Sequence, residues 1–185
     1  MKPSVLLDLN TRDIQLSEVL PQLPLWRREQ ALRYRREEDR QTSAAAYLLL
    51  ERAVGRGPLE PFLLEPNGKP RLREYPELHF SLSHTDGAAA CIVASRPVGI
   101  DIEHILDVDF GVIRHVMNEK EQAIIAREGM VAFYRFWTMK EALLKLTGEG
   151  LCNDMRNVLA ENEDVAFEVR NLQGYVCSTA MKSEK

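Results

Sequence analysis

The sequence predicts an α+β fold built from two similar halves, and three observations carry that prediction. A stretch free of Pro and Gly over 26–54, with a strongly helix-forming core at 44–50, is followed by strand patterns at 80–83 and 88–94. A second helix-forming run over 130–147 is followed by strand patterns at 165–169 and 175–179. No low-complexity segment or flexible linker interrupts the chain, so a helix-then-strands order occurs twice in one globular sequence. We place the halves at 1–97 and 98–185.

The elements follow in order. Residues 5–9 read as a short strand, and Pro21 and Pro24 break the chain before Trp26. Arg27, Arg28, Arg33, Arg35, Arg36 and Arg40 crowd the start of the long helix. They alternate with Glu29, Glu37, Glu38 and Asp39, the pattern of a solvated, salt-bridged face. Residues 55–61 form a turn-rich connector, and Asn67-Gly68 marks a tight turn. Ser95-Arg96-Pro97 leads directly into a β-branched strand at 98–103. A short helix at 110–116 follows. Asn118, with Glu121 three residues on, forms a capping box that opens a helix to about 127. Gly129 separates that helix from the run at 130–147, which Gly148 and Gly150 end.

Bulk properties narrow the function. The 185 residues are 45% hydrophobic and 28% charged, as in soluble globular proteins. A net charge of -4 argues against a general nucleic-acid binder. No apolar run approaches the ~20 residues that span a bilayer, and Asp8 comes too early for a signal peptide, so a cytoplasmic location is expected. Cys91, Cys152 and Cys177 are odd in number and far apart, which fits free thiols rather than a metal or disulfide framework.

Four segments carry chemistry. Asp101 and Glu103 are two apart in an apolar strand and therefore share a face. Two acids there lose hydration and repel each other, and a divalent cation with oxygen ligands is the simplest compensation. On the helix at 130–147, Trp137, Glu141 and Lys145 form one stripe at i, i+4 and i+8, with Lys140 beside it. Ser83-His84-Thr85-Asp86-Gly87 closes a strand with groups suited to a phosphate. Ser83 and His84 point to opposite faces of an extended chain, which disfavours a nucleophile–base pair. Asn67-Gly68-Lys69-Pro70 puts a lysine on a rigid turn but lacks the spacing of a P-loop.

Taken together, Asn67-Gly68-Lys69-Pro70, Phe80-Ser81-Leu82-Ser83-His84, Gly99-Ile100-Asp101-Ile102-Glu103 and the run from Phe136 through Trp137-Thr138-Met139-Lys140-Glu141 to Lys145 resemble, in order and spacing, the 4′-phosphopantetheinyl transferases of the single-chain, Sfp-type branch. The resemblance spans about residues 26–150. It implies a pseudo-dimer of two α+β halves with coenzyme A between them. The implied reaction moves the 4′-phosphopantetheine arm of coenzyme A to a serine of an apo acyl or peptidyl carrier protein and releases adenosine 3′,5′-bisphosphate. It also implies Mg2+ on Asp101, Glu103 and Glu141, with Lys140 and Lys145 on the pyrophosphate and Lys69, Ser83 and His84 on the coenzyme. Glu141 is the expected base and Lys145 its catalytic partner, while Glu121, the other candidate base, is already engaged as a capping residue.

Two departures stand out. Thr42 stands where the family has an arginine for the 3′-phosphate, which leaves Arg40 as the candidate, and Asp86 adds an acid close to that phosphate. They motivate an alternative reading, a catalytically degenerate protein that docks a carrier or synthase. An unrelated metal-dependent phosphohydrolase is a third. The arginines from Arg27 to Arg40 would give an acidic carrier a positive face. A monomer, with no nucleic-acid or membrane partner, is expected.

Overall fold

One small topology is built twice. In the computed structural model, which describes residues 2–148, 150 and 155–183, the first half runs β1 (Ser4–Asp8), α1 (Leu16–Val19), α2 (Leu25–Leu32), α3 (Glu37–Val54), β2 (Leu63–Leu64), β3 (Pro70–Arg71), β4 (His79–Thr85) and β5 (Ala88–Ala94). The second half runs β6 (Val98–His104), α4 (Phe110–Val116), α5 (Glu119–Glu128), α6 (Met130–Thr147), β7 (Val165–Leu172) and β8 (Tyr175–Lys182). The sheets are antiparallel, with orders β1-β5-β4 and β6-β8-β7. In each, the last strand inserts between the first and the middle one. α3 and α6 are both 18 residues long, and each ends on a left-handed glycine, Gly55 or Gly148, where a side chain would be strained.

Strand alternation then sorts the faces into four layers, helix–sheet–sheet–helix. Phe80, Cys91 and Val93 face α3 and pack with Tyr47 and Leu50. The opposite face of β5, Ala88, Ala90, Ile92 and Ala94, meets Val98, Ile100 and Ile102 of β6 between the sheets. Small residues on β5 let the sheets approach closely. Val176 and Ala180 of β8 pack under α6 with Leu143 and Leu146. Gly99 is required by a close approach, because a Cβ there would run into the backbone oxygen of Ala142 on α6. That contact brings β6 directly beneath the α6 stripe.

The single helix predicted over 26–54 is two. α2 ends at Leu32, and Arg36 is extended at the N-cap of α3. No Pro or Gly marks the break. Three acids, Glu37, Glu38 and Asp39, fill the first turn of α3, where the helix dipole favours negative charge. The Arg27 side chain reaches back to Ser43, folding α2 against α3. Elsewhere the predicted elements are present, and the Asn118–Glu121 capping box is complete. Cys91 and Cys177 are free and buried, and Cys152 lies outside the described residues. Among the described residues no helix is long and apolar enough to cross a membrane.

Candidate functional site

A cleft of about 620 Å³ opens where the two halves meet, lined by Arg27, Tyr34, Lys69 and His84 from the first half and by Glu141 and Lys145 from the second. The carboxylate strand lies behind this lining and is joined to it through Lys145, which lines the cleft and pairs with Asp101. Asp101 is 3% exposed. Its Oδ1 accepts from Lys145 Nζ at 2.6 Å and from Ser83 Oγ at 2.7 Å. Its Oδ2 is buried without a hydrogen-bond partner. Burial pushes the Asp101 carboxyl up, while Lys145 and Ser83 pull the other way. Glu103 accepts from Thr85 Oγ1 at 3.1 Å. Burial, and then the neighbouring Asp101 charge, raise it to about 7. Glu141 is raised by the same two causes, and its Oε1 is also buried without a partner.

The stripe of Trp137, Glu141 and Lys145 therefore faces β6, as its spacing predicts. Lys145 pairs with Asp101 rather than with Glu141 one turn away. Three carboxylates raised by burial, two of them raised further by the Asp101 charge and two with an unsatisfied buried oxygen, match the donor set of a hard dication. Among the described residues no group of three or more such side chains is already gathered around one point, and Asp101 Oδ1 is held by the Lys145 ammonium instead.

The first half supplies cations and a clasp. The Asn67-Gly68-Lys69-Pro70 turn closes over the end of α6. Asn67 Nδ2 donates to Thr147 O at 3.3 Å, and Lys69 Nζ donates to Leu146 O at 2.9 Å and Val98 O at 3.1 Å. Desolvation lowers the Lys69 pKa. His84 faces the cleft edge-on to the Tyr34 ring, with Thr42 Oγ1 3.4 Å from its Nδ1. Desolvation by the surrounding walls, then Lys145 and Arg27, lower the pKa of its imidazole.

Four expectations are corrected by placement. Lys140 lies outside the cleft: it is 0% exposed, and its ammonium donates to Glu121 Oε2 at 2.7 Å and to the carbonyls of Val116 and Met155. One residue along a helix is about 100° of rotation, enough to turn Lys140 away from the cleft that Glu141 faces. Ser83 is buried against Asp101 and Lys145 rather than open to a ligand. Arg40 donates to Tyr34 O and does not line the cleft. Arg27, read from sequence as part of an exposed basic face, is 6% exposed, lines the cleft, and has its pKa lowered by burial. Sequence reasoning missed it because its neighbours are charged. The signal was Ala31 one turn on, which is fully buried on the same stripe. Asp86, the added acid, is turned aside into an ion pair with Arg12.

A family model described as the 4′-phosphopantetheinyl transferase superfamily matches residues 97–181, the half that carries all three carboxylates. A 4′-phosphopantetheinyl transferase, psf-1, of Bacillus pumilus is 31% identical over 153 residues. The chain is similar to the 4′-phosphopantetheinyl transferase superfamily. The psf-1 alignment covers 78% of this chain and 65% of the relative. The 4′-phosphopantetheinyl transferase Sfp of Bacillus subtilis (strain 168) is 28% identical, over 68% of this chain and 60% of that protein. The L-aminoadipate-semialdehyde dehydrogenase-phosphopantetheinyl transferase of Xenopus laevis is 28% identical, over 71% and 51%. The chain thus spans between half and two thirds of the length of these superfamily members.

Proposed function

We propose that this protein is a transferase that moves the 4′-phosphopantetheine arm of coenzyme A to a serine of an apo acyl or peptidyl carrier protein. The observation that carries this reading is the cleft and its back wall: Arg27, Lys69, His84, Glu141 and Lys145 line one cavity, and Asp101 and Glu103, like Glu141 raised by burial, lie behind it at Lys145. Acids for a dication beside cations for phosphates are the equipment of phosphoryl-type transfer.

In this reading the carrier serine oxygen attacks the phosphorus that bears the pantetheine. A new P–O bond forms, the pyrophosphate P–O bond breaks, and adenosine 3′,5′-bisphosphate leaves with the electron pair. Glu141, whose carboxyl is raised by burial and then by the Asp101 charge, takes the serine proton. Lys145 offsets charge gathering on the leaving phosphate. Arg27 and His84, together at one wall, hold a coenzyme phosphate, and Lys69 fixes the clasp and offers its remaining N–H. Asp101, Glu103 and Glu141 would hold Mg2+, which when bound supplies positive charge to the diphosphate.

The halves, 1–97 and 98–185, act as one unit because the cleft needs both. The partner is an acidic carrier. Arg27 no longer counts toward its docking face, but Leu106, Phe110 and Val112, which follow β6 in the chain, are exposed apolar side chains open to a partner. A cytoplasmic monomer without nucleic-acid or membrane partners completes the reading. The test is intact-mass analysis of several apo carriers incubated with the protein, coenzyme A and MgCl2. A gain equal to the arm supports the proposal, and no gain with any carrier refutes it.

A further inference from the structure

We infer that Ser83 and Thr85, on the first half, are positioning residues for the carboxylate pair Asp101 and Glu103 on the second half, and that Ser83 is not a coenzyme contact. The inference rests on the transferase reading above and deepens it. β4 runs along the open edge of β6, with no backbone ladder between them. Side-chain hydroxyls take the ladder's place. Ser81 Oγ accepts from Ile100 N at 3.2 Å, and Ser83 Oγ accepts from Ile102 N at 3.3 Å. Ser83 Oγ donates to Asp101 Oδ1 at 2.7 Å, and Thr85 Oγ1 donates to Glu103 Oε2 at 3.1 Å. Both hydroxyl–carboxylate pairs are 18 residues apart in sequence and both hydroxyl–amide pairs 19. A constant offset means that the strands run parallel at this seam, so two period-two rows, hydroxyls and acids, face each other in register.

A serine hydroxyl has one donor and two acceptor sites. Ser83 uses all three, because Lys145 Nζ also donates to it at 2.9 Å. It therefore has no valence left for a phosphate. What it does instead is fix Asp101. With Oδ1 tied to Ser83 and Lys145, the carboxylate plane is set and Oδ2 is the oxygen left unpartnered. Thr85 fixes Oε2 of Glu103, a carboxylate to which Trp137 also donates a side-chain hydrogen bond. The acids belong to one half, and hydroxyls of the other help to orient them.

The test measures two affinities on the full chain: Mn2+ alone, by electron paramagnetic resonance of the free ion, and coenzyme A in EDTA, by calorimetry. Ser83→Ala should raise the Mn2+ Kd about tenfold or more, as losing a group that orients a metal ligand does, and Thr85→Val by a few-fold. Coenzyme A binding in EDTA should stay within about twofold in both variants, whereas His84→Ala weakens it. A merely structural role would move both affinities together. Mn2+ affinity unchanged in both variants overturns the inference, as does loss of coenzyme A binding in Ser83→Ala equal to that in His84→Ala. Should Ser83→Ala fail to fold, the isosteric Thr85→Val decides alone. Unmoved affinities in a protein that still transfers the arm remove the positioning roles and leave the transferase reading. A wild-type chain that neither binds Mn2+ nor transfers removes both.

Discussion

The two halves share a sheet order and an 18-residue helix, yet their chemistry does not repeat. β1 and β6 hold the same place in their sheets. β1 is half-buried throughout, and its acid, Asp8, ends the strand and accepts from Asn10 N. β6 is buried over its first five residues and carries Asp101 in that stretch, with Glu103 just beyond. α3 turns Ala44, Ala45 and Tyr47 toward its sheet, whereas α6 turns Glu141 and Lys145 toward Asp101. A repeated topology thus makes two frames, and only the frame pressed against the other half's hydroxyls holds buried carboxylates. The burial cost of those acids is offset from both halves: Asp101 by Lys145 and then by Ser83, and Glu103 by Thr85 and Trp137.

The largest expected effect breaks that asymmetry. Asp101→Ala should lower kcat/KM for arm transfer on the order of 10³-fold, since it removes an acid facing the reacting phosphates. Asp8→Ala, at the equivalent strand, should change it less than about twofold. Equal losses would show that the halves are not specialised.

Next in size is Lys140→Met. Breaking a buried ion pair leaves Glu121 uncompensated at a cost of about 3–5 kcal/mol. Urea unfolding should show that loss, while the folded variant keeps its coenzyme A affinity. If Lys140 gripped the pyrophosphate instead, affinity would fall and stability would hold.

The spacing of Trp137, Glu141 and Lys145 was legible in sequence because side chains four apart on a helix share a face. Lys140 was misjudged because sequence spacing gives an angle but not which neighbour fills it, and α5 with the segment at Met155 fills that side. The Asp101–Glu103 pair and the hydroxyl row Ser81, Ser83 and Thr85 were both visible as period-two patterns. That they face one another across the seam was not, because nothing local encodes which strand covers the edge of β6. The α2–α3 break and the burial of Arg27 were hidden for a similar reason: a contact 16 residues away at Ser43 decides them.

A smaller effect separates two arginines. Arg27→Ala should weaken coenzyme A binding by roughly tenfold, the loss of one charge-assisted hydrogen bond, and Arg40→Ala by less than about threefold, both read by calorimetry. The reverse order would restore Arg40 to the cleft.

The smallest is a pH effect. Glu103 is raised from the ordinary 4.5 to about 7, so between those values the folded chain holds a proton that the unfolded chain has lost. Its contribution makes metal-free stability fall as pH rises through that window. His79 and His84, both lowered, act with the opposite sign near neutrality. The informative quantity is therefore the difference between wild type and Glu103→Gln in urea midpoints at pH 5 and 7.5 in EDTA. The variant should gain on wild type at the higher pH, and an identical pH dependence would contradict the burial of that carboxylate.

The central claim is that the acids of the second half serve a metal-dependent transfer in the cleft between the halves. Intact-mass spectrometry of an apo carrier protein with the wild-type chain and coenzyme A, in MgCl2 and in EDTA, tests it most directly. The account predicts that the carrier gains the phosphopantetheine arm with magnesium and stays unmodified in EDTA. A carrier modified equally in both, or in neither, contradicts it.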